Sequence, residues 1–267
     1  MKSKNKLCFV SIDIEHDYAD KEKFFRGVEN LDKILDIFRK HGIPATLFIT
    51  GDVLEKYKET VIKWSKDFEI ACHSYSHRFW NTLDHKERQG ELDKFKILYS
   101  SIFKAEPIGF RSPSHLIDED ALHILEEERF SYDSSVVPNY PFFKKYRGYK
   151  GRAPAVPYYP HRTDIRRKGE MNILEIPVAG QLFGLPLAGI WIARIPFLVF
   201  RSLFSFYNPP FITVNMHSWD ILDNSFRKSS VDQFFSSLDR ILSLLETKDY
   251  TFVNGRQIYE IFSKDKR

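Results

Sequence analysis

Short apolar runs alternate along the chain with segments of helical period. LCFVSIDI (7–14), ATLFIT (45–50), FEIACHS (68–74), IGFRS (108–112), FSYDSSV (130–136), NILEIPV (172–178), FITVNMHS (211–218) and YTFVN (250–254) predict strands. Between them, VENLDKILDIFRKHG places Leu31, Ile34, Leu35 and Phe38 on one helical face and stops at Gly42. DVLEKYKETVIKWSKD, HKERQGELDKFKILYSSIF, DEDALHILEEERF and VDQFFSSLDRILSLLE carry the same period. The acids of DED suit a helix N-terminus. Alternation of strand and helix on this scale predicts a parallel sheet covered by helices. No low-complexity linker or compositional break divides the chain, so residues 1–267 read as a single domain.

Two neighbouring segments, together an insertion over about 139–207, depart from this rhythm. From Asn139 to Gly169 basic and aromatic residues interleave, Asp164 is the sole acid, and Pro141, Pro154, Pro157 and Pro160 predict irregular structure. The next segment, IPVAGQLFGLPLAGIWIARIPFLVF, is almost uncharged and long enough to suggest a membrane span. Two prolines and three glycines before Trp191, and Arg194 after it, argue against a span. Core or an active-site loop is the leading reading.

Composition changes the picture little. A net charge of +4 on 267 residues does not by itself imply a nucleic-acid partner, and none is expected. Cys8 and Cys72 each sit inside an apolar run, which predicts buried thiols and a reducing compartment. The start, MKSKNKLCFVSIDIE, runs directly from a short apolar stretch into acids and does not read as a signal peptide. A cytoplasmic protein is expected, with the inner face of the membrane as a further setting.

The polar residues are informative through their positions. Asp13, Glu15 and Asp17 occur at every second residue, so a strand would crowd three carboxylates on one face, where like charges repel. Asp13 and Glu15 end the first strand, His73 and His77 the third, Arg111 the fourth and His217 the seventh, and Asp133 lies in the fifth. In a β/α barrel the carboxyl ends of all strands open on one face, so these residues would converge on one mouth. His73 and His77 have an H-x-x-x-H spacing; on a helical turn both imidazoles would share a face and bind one ion. Two histidines and a carboxylate leave coordination positions open, as catalytic zinc requires, and a cation would hold the crowded acids together. Asp13 and Glu15 suit a glycosidase acid–base pair less well, because two carboxylates on one strand do not flank a scissile bond from opposite sides. Taken singly, His217, Arg111 and Asp133 read as a core histidine, an ion pair and a turn residue.

The ordered set SIDIE, HSYSH, GFRSPS, YDSS and NMHSW resembles the NodB-homology polysaccharide deacetylases, carbohydrate esterase family four, from about residue 7 to 262. GIPATLFITGDV and TFVNGRQIYEIF add to the likeness. The resemblance implies a distorted (β/α)7 barrel and a metal-dependent hydrolase that removes an N-acetyl or other N-acyl group from an amino sugar. It implies Asp13 as catalytic base, Arg111 as the residue that orients it, His217 as general acid, and a looser role for Asp133. His73 and His77 would ligate the metal, and the backbone N–H of Ser114 would help hold the oxyanion. SIDIE departs from the family's usual Thr-Phe-Asp-Asp-Gly: Ile14 stands where the metal-binding acid is expected. Glu15 then resembles the ligand of an Asp-x-Glu branch, with His16 and Asp17 as alternatives. Zinc suits two imidazoles and a carboxylate, with cobalt, nickel or iron as other fits.

The substrate is less defined. Family members act on chitin-like or peptidoglycan chains, or on nucleotide- or lipid-linked sugars. The basic and aromatic stretch from Phe142 to Lys168 suits a phosphate and sugar faces, and the apolar stretch from Leu182 to Phe206 suits a lipid tail or an anionic membrane surface. A phospholipid-linked amino sugar is the leading expectation. A non-catalytic glycan-binding member of the fold and a hydrolase of a non-sugar amide are the rivals. Oligomeric state is left open.

Overall fold

The computed structural model describes residues 6–18, 23–138, 152–178, 182–183, 185–223 and 230–264. Its strands are β1 (Lys6–Ile14), β2 (Thr46–Ile49), β3 (Glu69–Cys72), β4 (Gly109–Phe110), β5 (Tyr132–Asp133), β6 (Pro160–His161), β7 (Asp164–Lys168), β8 (Leu174–Glu175), β9 (Leu187–Ala188), β10 (Phe211–His217) and β11 (Tyr250–Val253). Its helices are α1 (Arg26–Glu29), α2 (Asp32–Lys40), α3 (Gly51–Lys56), α4 (Lys58–Trp64), α5 (His85–Phe103), α6 (Glu119–Glu127), α7 (Gly189–Arg194), α8 (Phe197–Phe206), α9 (Val231–Thr247) and α10 (Gly255–Lys264). All predicted strands are present; β1 begins one residue earlier, at Lys6, and the others are shortened at their ends.

The main sheet is parallel and runs in the order β8-β5-β4-β3-β2-β1-β10-β9. It curls into a distorted (β/α) barrel with helices outside. β1 is its axis. On one edge it pairs with β10 from Leu7↔Phe211 to Asp13↔His217. On the other edge its first half pairs with β11 and its second half with β2. Past β8, Pro177 O accepts Thr213 Oγ1 of β10 at 2.9 Å.

The period of two along β1 sorts its residues. Cys8, Val10, Ile12 and Ile14 face outward into the layer shared with the helices, where α2 contributes Ile34, Leu35 and Phe38. Phe9 faces inward with Phe48, Ala71, Tyr132, Leu174, Ile176 and Phe211, which fill the lower barrel. Gly109 and Gly255 make room there: a Cβ on either would lie 2.1 or 2.3 Å from the Tyr132 ring. Above this apolar plug the same inward face of β1 continues as Ser11, Asp13 and Glu15. Both cysteines are buried free thiols.

Three expectations are revised. One helix was predicted over 52–67; the chain breaks it at Tyr57 (φ −115°, ψ 30°) into α3 and α4. The segment 139–169 contains an antiparallel hairpin, β6–β7, because Pro160 sits at a strand start where a missing N–H is tolerated; its residues 139–151 lie outside the described residues. The apolar segment forms two short helices, α7 and α8, the latter begun by Pro196 at its N-cap. Among the described residues no helix is long and apolar enough to cross a membrane.

Candidate active site

The carboxyl ends of the strands form one polar mouth. Arg111, at the end of β4, is fully buried and organises its floor. Its Nη1 donates to Asp13 Oδ1 at 2.6 Å, to Asn215 Oδ1 at 2.7 Å and to Ser11 Oγ at 3.0 Å. Its Nε and Nη2 donate to Ser134 O and Ser134 Oγ, both at 2.8 Å. The guanidinium also lies 4.0 Å from the centre of the Phe48 ring.

Asp13 is thereby held by one oxygen. Its other oxygen, Oδ2, faces His217 Nε2 at 3.9 Å and His115 Nε2 at 4.0 Å. Burial opposes the charge on Asp13, but the Arg111 guanidinium, aided by the surrounding imidazoles, holds its carboxyl below the usual carboxylate range. His217 lies opposite Asp13 in the β1–β10 register. Asp220 Oδ2 accepts the His217 backbone N–H at 2.7 Å and faces its Nδ1 at 3.3 Å. Burial works against the imidazolium, yet the Asp220 hydrogen bond and charge, with Asp13 and Glu15, push His217 up to about 9. His115 behaves oppositely: burial outweighs Asp13 and takes it down to about 3, so its ring is neutral.

Glu15, two residues beyond Asp13 on the same face, meets the histidine pair. His73 Nδ1 lies 2.8 Å from Arg111 O, and a carbonyl only accepts, so Nδ1 carries the proton and the Nε2 lone pair points at Glu15 Oε2, 3.2 Å away. His77 Nε2 closes on the same Oε2, buried against it. Trp219 Nε1 donates to the other oxygen, Oε1, at 2.7 Å. Two imidazoles converge on one carboxylate oxygen, and as a donor set they fit a zinc-class ion. Glu15, His73 and His77 offer three ligand atoms within 4.8 Å of one another.

The two histidines do not converge on a helical turn, as their spacing alone suggested. They lie on a loop in which Ser74 and His77 take left-handed backbone, with φ 64° and 61°. Glu91 of α5 holds that loop from behind. Its Oε2 accepts Ser74 Oγ (2.9 Å), Tyr75 N (3.1 Å) and Ser76 N (2.7 Å), and its Oε1 accepts Ser76 Oγ (2.8 Å). Those bonds compensate the strained backbone.

The remaining acids separate. Asp17 accepts Arg26 N–H and Nε–H and Gly27 N–H at the start of α1, at 3.0, 2.9 and 3.0 Å, so its oxygens are committed to the backbone and to an ion pair. His16 packs edge-on to His77, centroids 5.1 Å apart. Asp133 lies on β5, where Ser135 N and Oγ donate to it at 3.0 and 2.7 Å. Glu175 of β8 is its neighbour; burial and the Asp133 charge push Glu175 well above the carboxylate range. Sequence reasoning missed Glu91, His115, Glu175, Asn215 and Asp220. An acid inside the apolar strand NILEIPV was the one signal available for Glu175.

The distorted (β/α) barrel is of the NodB type. Residues 14–132, a little under half of the chain, match the family model of polysaccharide deacetylases. The "peptidoglycan deacetylase-like protein" of Gibberella zeae is 36% identical over 115 residues, which cover 42% of this chain and 34% of that protein. The chain thus spans about a third of that relative. A Mycobacterium smegmatis protein assigned as a polysaccharide deacetylase has the same fold, at 15% identity and a TM-score of 0.69, covering 100% of this chain and 93% of that one. Puue allantoinase shares the fold at 13% identity and a TM-score of 0.69, covering 97% and 91%.

Proposed function

We propose that the protein is a metal-dependent hydrolase that removes an N-acyl group, acetyl or formyl, from an amino sugar. One observation carries this reading: Asp13, one oxygen held by Arg111 and the other facing His217, sits two residues along the chain from Glu15, on which two imidazoles converge. The name of the Gibberella relative and the family description support a sugar amide as substrate.

Glu15, His73 and His77 would hold one divalent transition metal, zinc by donor type. When bound, it supplies Lewis-acid polarisation of the acyl carbonyl and makes water acidic enough to lose a proton near neutral pH. The chain's own residues do the rest. Arg111 keeps Asp13 ionised and fixes Oδ1, leaving Oδ2 to accept the proton of the attacking water. Asp220 keeps His217 protonated and turned so that Nε2 faces the mouth, from where it donates to the departing amine. The Ser114 backbone N–H serves the oxyanion. Asp133 and Glu175 brace the Ser134–Ser135 segment that Arg111 grips.

The test is metal content by elemental mass spectrometry on wild type and His77→Ala, with hydrolysis of N-acetyl amino sugars measured beside cyclic ureides. One transition metal per chain, lost in the variant, and release of acetate from a sugar are expected. No metal in either protein after incubation with zinc favours a glycan-binding role. Ureide turnover alone favours a non-sugar amide.

For the substrate class we infer a lipid-linked amino sugar met at an anionic membrane surface, in a cytoplasmic setting. On and beside α8, Phe183, Leu198, Val199, Phe206 and Tyr207 are exposed, Phe206 at 88%. Arg194 and Arg201 are exposed nearby, and no acid occurs between Glu175 and Asp220. Apolar side chains framed by arginines suit a phospholipid interface. Wild type is expected to float with anionic vesicles at low salt and Leu198→Glu/Phe206→Glu to stay behind. Equal behaviour of the two proteins would remove the membrane from this reading.

A further inference from the structure

His115 has no part in the reaction as derived, yet it completes a second set of donors. Asp13 Oδ2, His115 Nε2 and His217 Nε2 lie within 4.8 Å of one another, two imidazoles and one carboxylate, the same composition as the Glu15 set. Their orientation is built into the fold. Arg111 occupies Asp13 Oδ1, so Oδ2 alone faces the rings. Asp220 engages His217 at Nδ1, which leaves Nε2 for the mouth, the carboxylate–histidine arrangement that orients metal-ligating imidazoles. His115 reaches the site because Ser114 and His115 both take left-handed backbone (φ 54° and 57°), closed by His115 N donating to Ser112 O at 2.9 Å and Ser112 Oγ donating to Leu116 O at 2.6 Å.

We propose that Asp13, His115 and His217 form a second, weaker site for a divalent transition metal, and that filling it inhibits the enzyme. Oδ2 and the two Nε2 atoms stand 4.0 and 3.9 Å apart, wider than the spacing around a bound zinc. The rings must close in by several tenths of an ångström, and the Arg111 guanidinium repels a cation. Both effects make this site weaker than the one at Glu15. An ion there takes the oxygen of the base and displaces the proton of the acid at His217 Nε2, which leaves to solvent, so catalysis stops and binding weakens as pH falls. The inhibitory part rests on the hydrolase reading above; the binding part does not.

The experiment is equilibrium dialysis of wild type, His115→Phe and His77→Ala against rising zinc, with zinc per chain read by elemental mass spectrometry. Wild type is expected to bind one equivalent at low zinc and a second at higher zinc. His115→Phe keeps the first, which also reports that it is folded, and lacks the second. His77→Ala loses the tight equivalent. Zinc bound at surface groups common to the proteins cancels in the difference between wild type and His115→Phe. Identical binding curves for these two would overturn the proposal, as would a wild type that takes up no second equivalent. Where acetate release is measurable, excess zinc is expected to suppress it in wild type at least about tenfold more than in His115→Phe, each relative to its own rate. Equal suppression rejects the inhibitory role. An absence of activity in any protein would count against the hydrolase reading and leave the stoichiometry to decide the site.

Discussion

Replacing Asp13 by Asn is expected to lower turnover by at least about 100-fold, the size typical of a lost general base, with metal content unchanged. Asn is the same shape. Its amide oxygen can still accept from Arg111 Nη1 where Oδ1 does now, at 2.6 Å. Its NH₂ then stands in the place of Oδ2, before His217 and His115, and an amide there cannot accept a proton from water. The Glu15, His73 and His77 donors are untouched, so the elemental count should hold at the wild-type value. Steady-state turnover at saturating substrate, beside that count, decides the matter. Unchanged turnover would remove Asp13 from the role of base. Loss of metal would mean that the substitution had disturbed the end of β1 and that the rate says nothing about the base.

The site's outline was legible because its residues end strands, and strand position survives in the local pattern. Asp13 and Glu15 share a face by a period of two, and the barrel turns that face inward. His73 and His77 carried their signal in spacing, though the geometry behind it is a loop with two left-handed residues, which spacing cannot reveal. What holds the site stayed hidden for a different reason. Glu91 sits in HKERQGELDKFK, where any acid reads as one more solvated charge on a helix; only the packing of α5 against the loop buries it. Asp220 and Asn215 gain meaning only when β10 pairs with β1. His115 follows a proline turn and points into the mouth through a backbone conformation that its residue type does not demand. The helix α8 was masked by composition: its polar residues, Arg201, Ser202 and Ser205, are too few among apolar neighbours to mark out its period.

The structural counterpart of the Asp13 experiment is Arg111→Met, expected to destabilise the fold by about 3–5 kcal/mol near pH 7, the cost of leaving one member of a buried ion pair alone. Arg111 and Asp13 are 0% and 2% exposed, so neither charge has water to fall back on. Methionine fills much of the volume against Phe48 but offers no donor to Asp13, Asn215, Ser11 or Ser134. The pH dependence separates a stranded charge from lost packing. In the wild type the folded carboxyl of Asp13 lies below its ordinary value. Its ionised form therefore adds stability above the unfolded pKa of about 3.9, and that stability is lost as pH falls through the lower folded value. In the variant, burial acts without the guanidinium and raises the folded pKa above about 3.9. The variant then loses stability as pH rises through that raised value. Both trends act in the same sense: the deficit is widest at neutral pH and narrows toward pH 4. Denaturant unfolding of the two proteins at several pH values measures it. A deficit that is the same at every pH would assign the loss to packing and would leave Arg111 without its role in keeping the base charged.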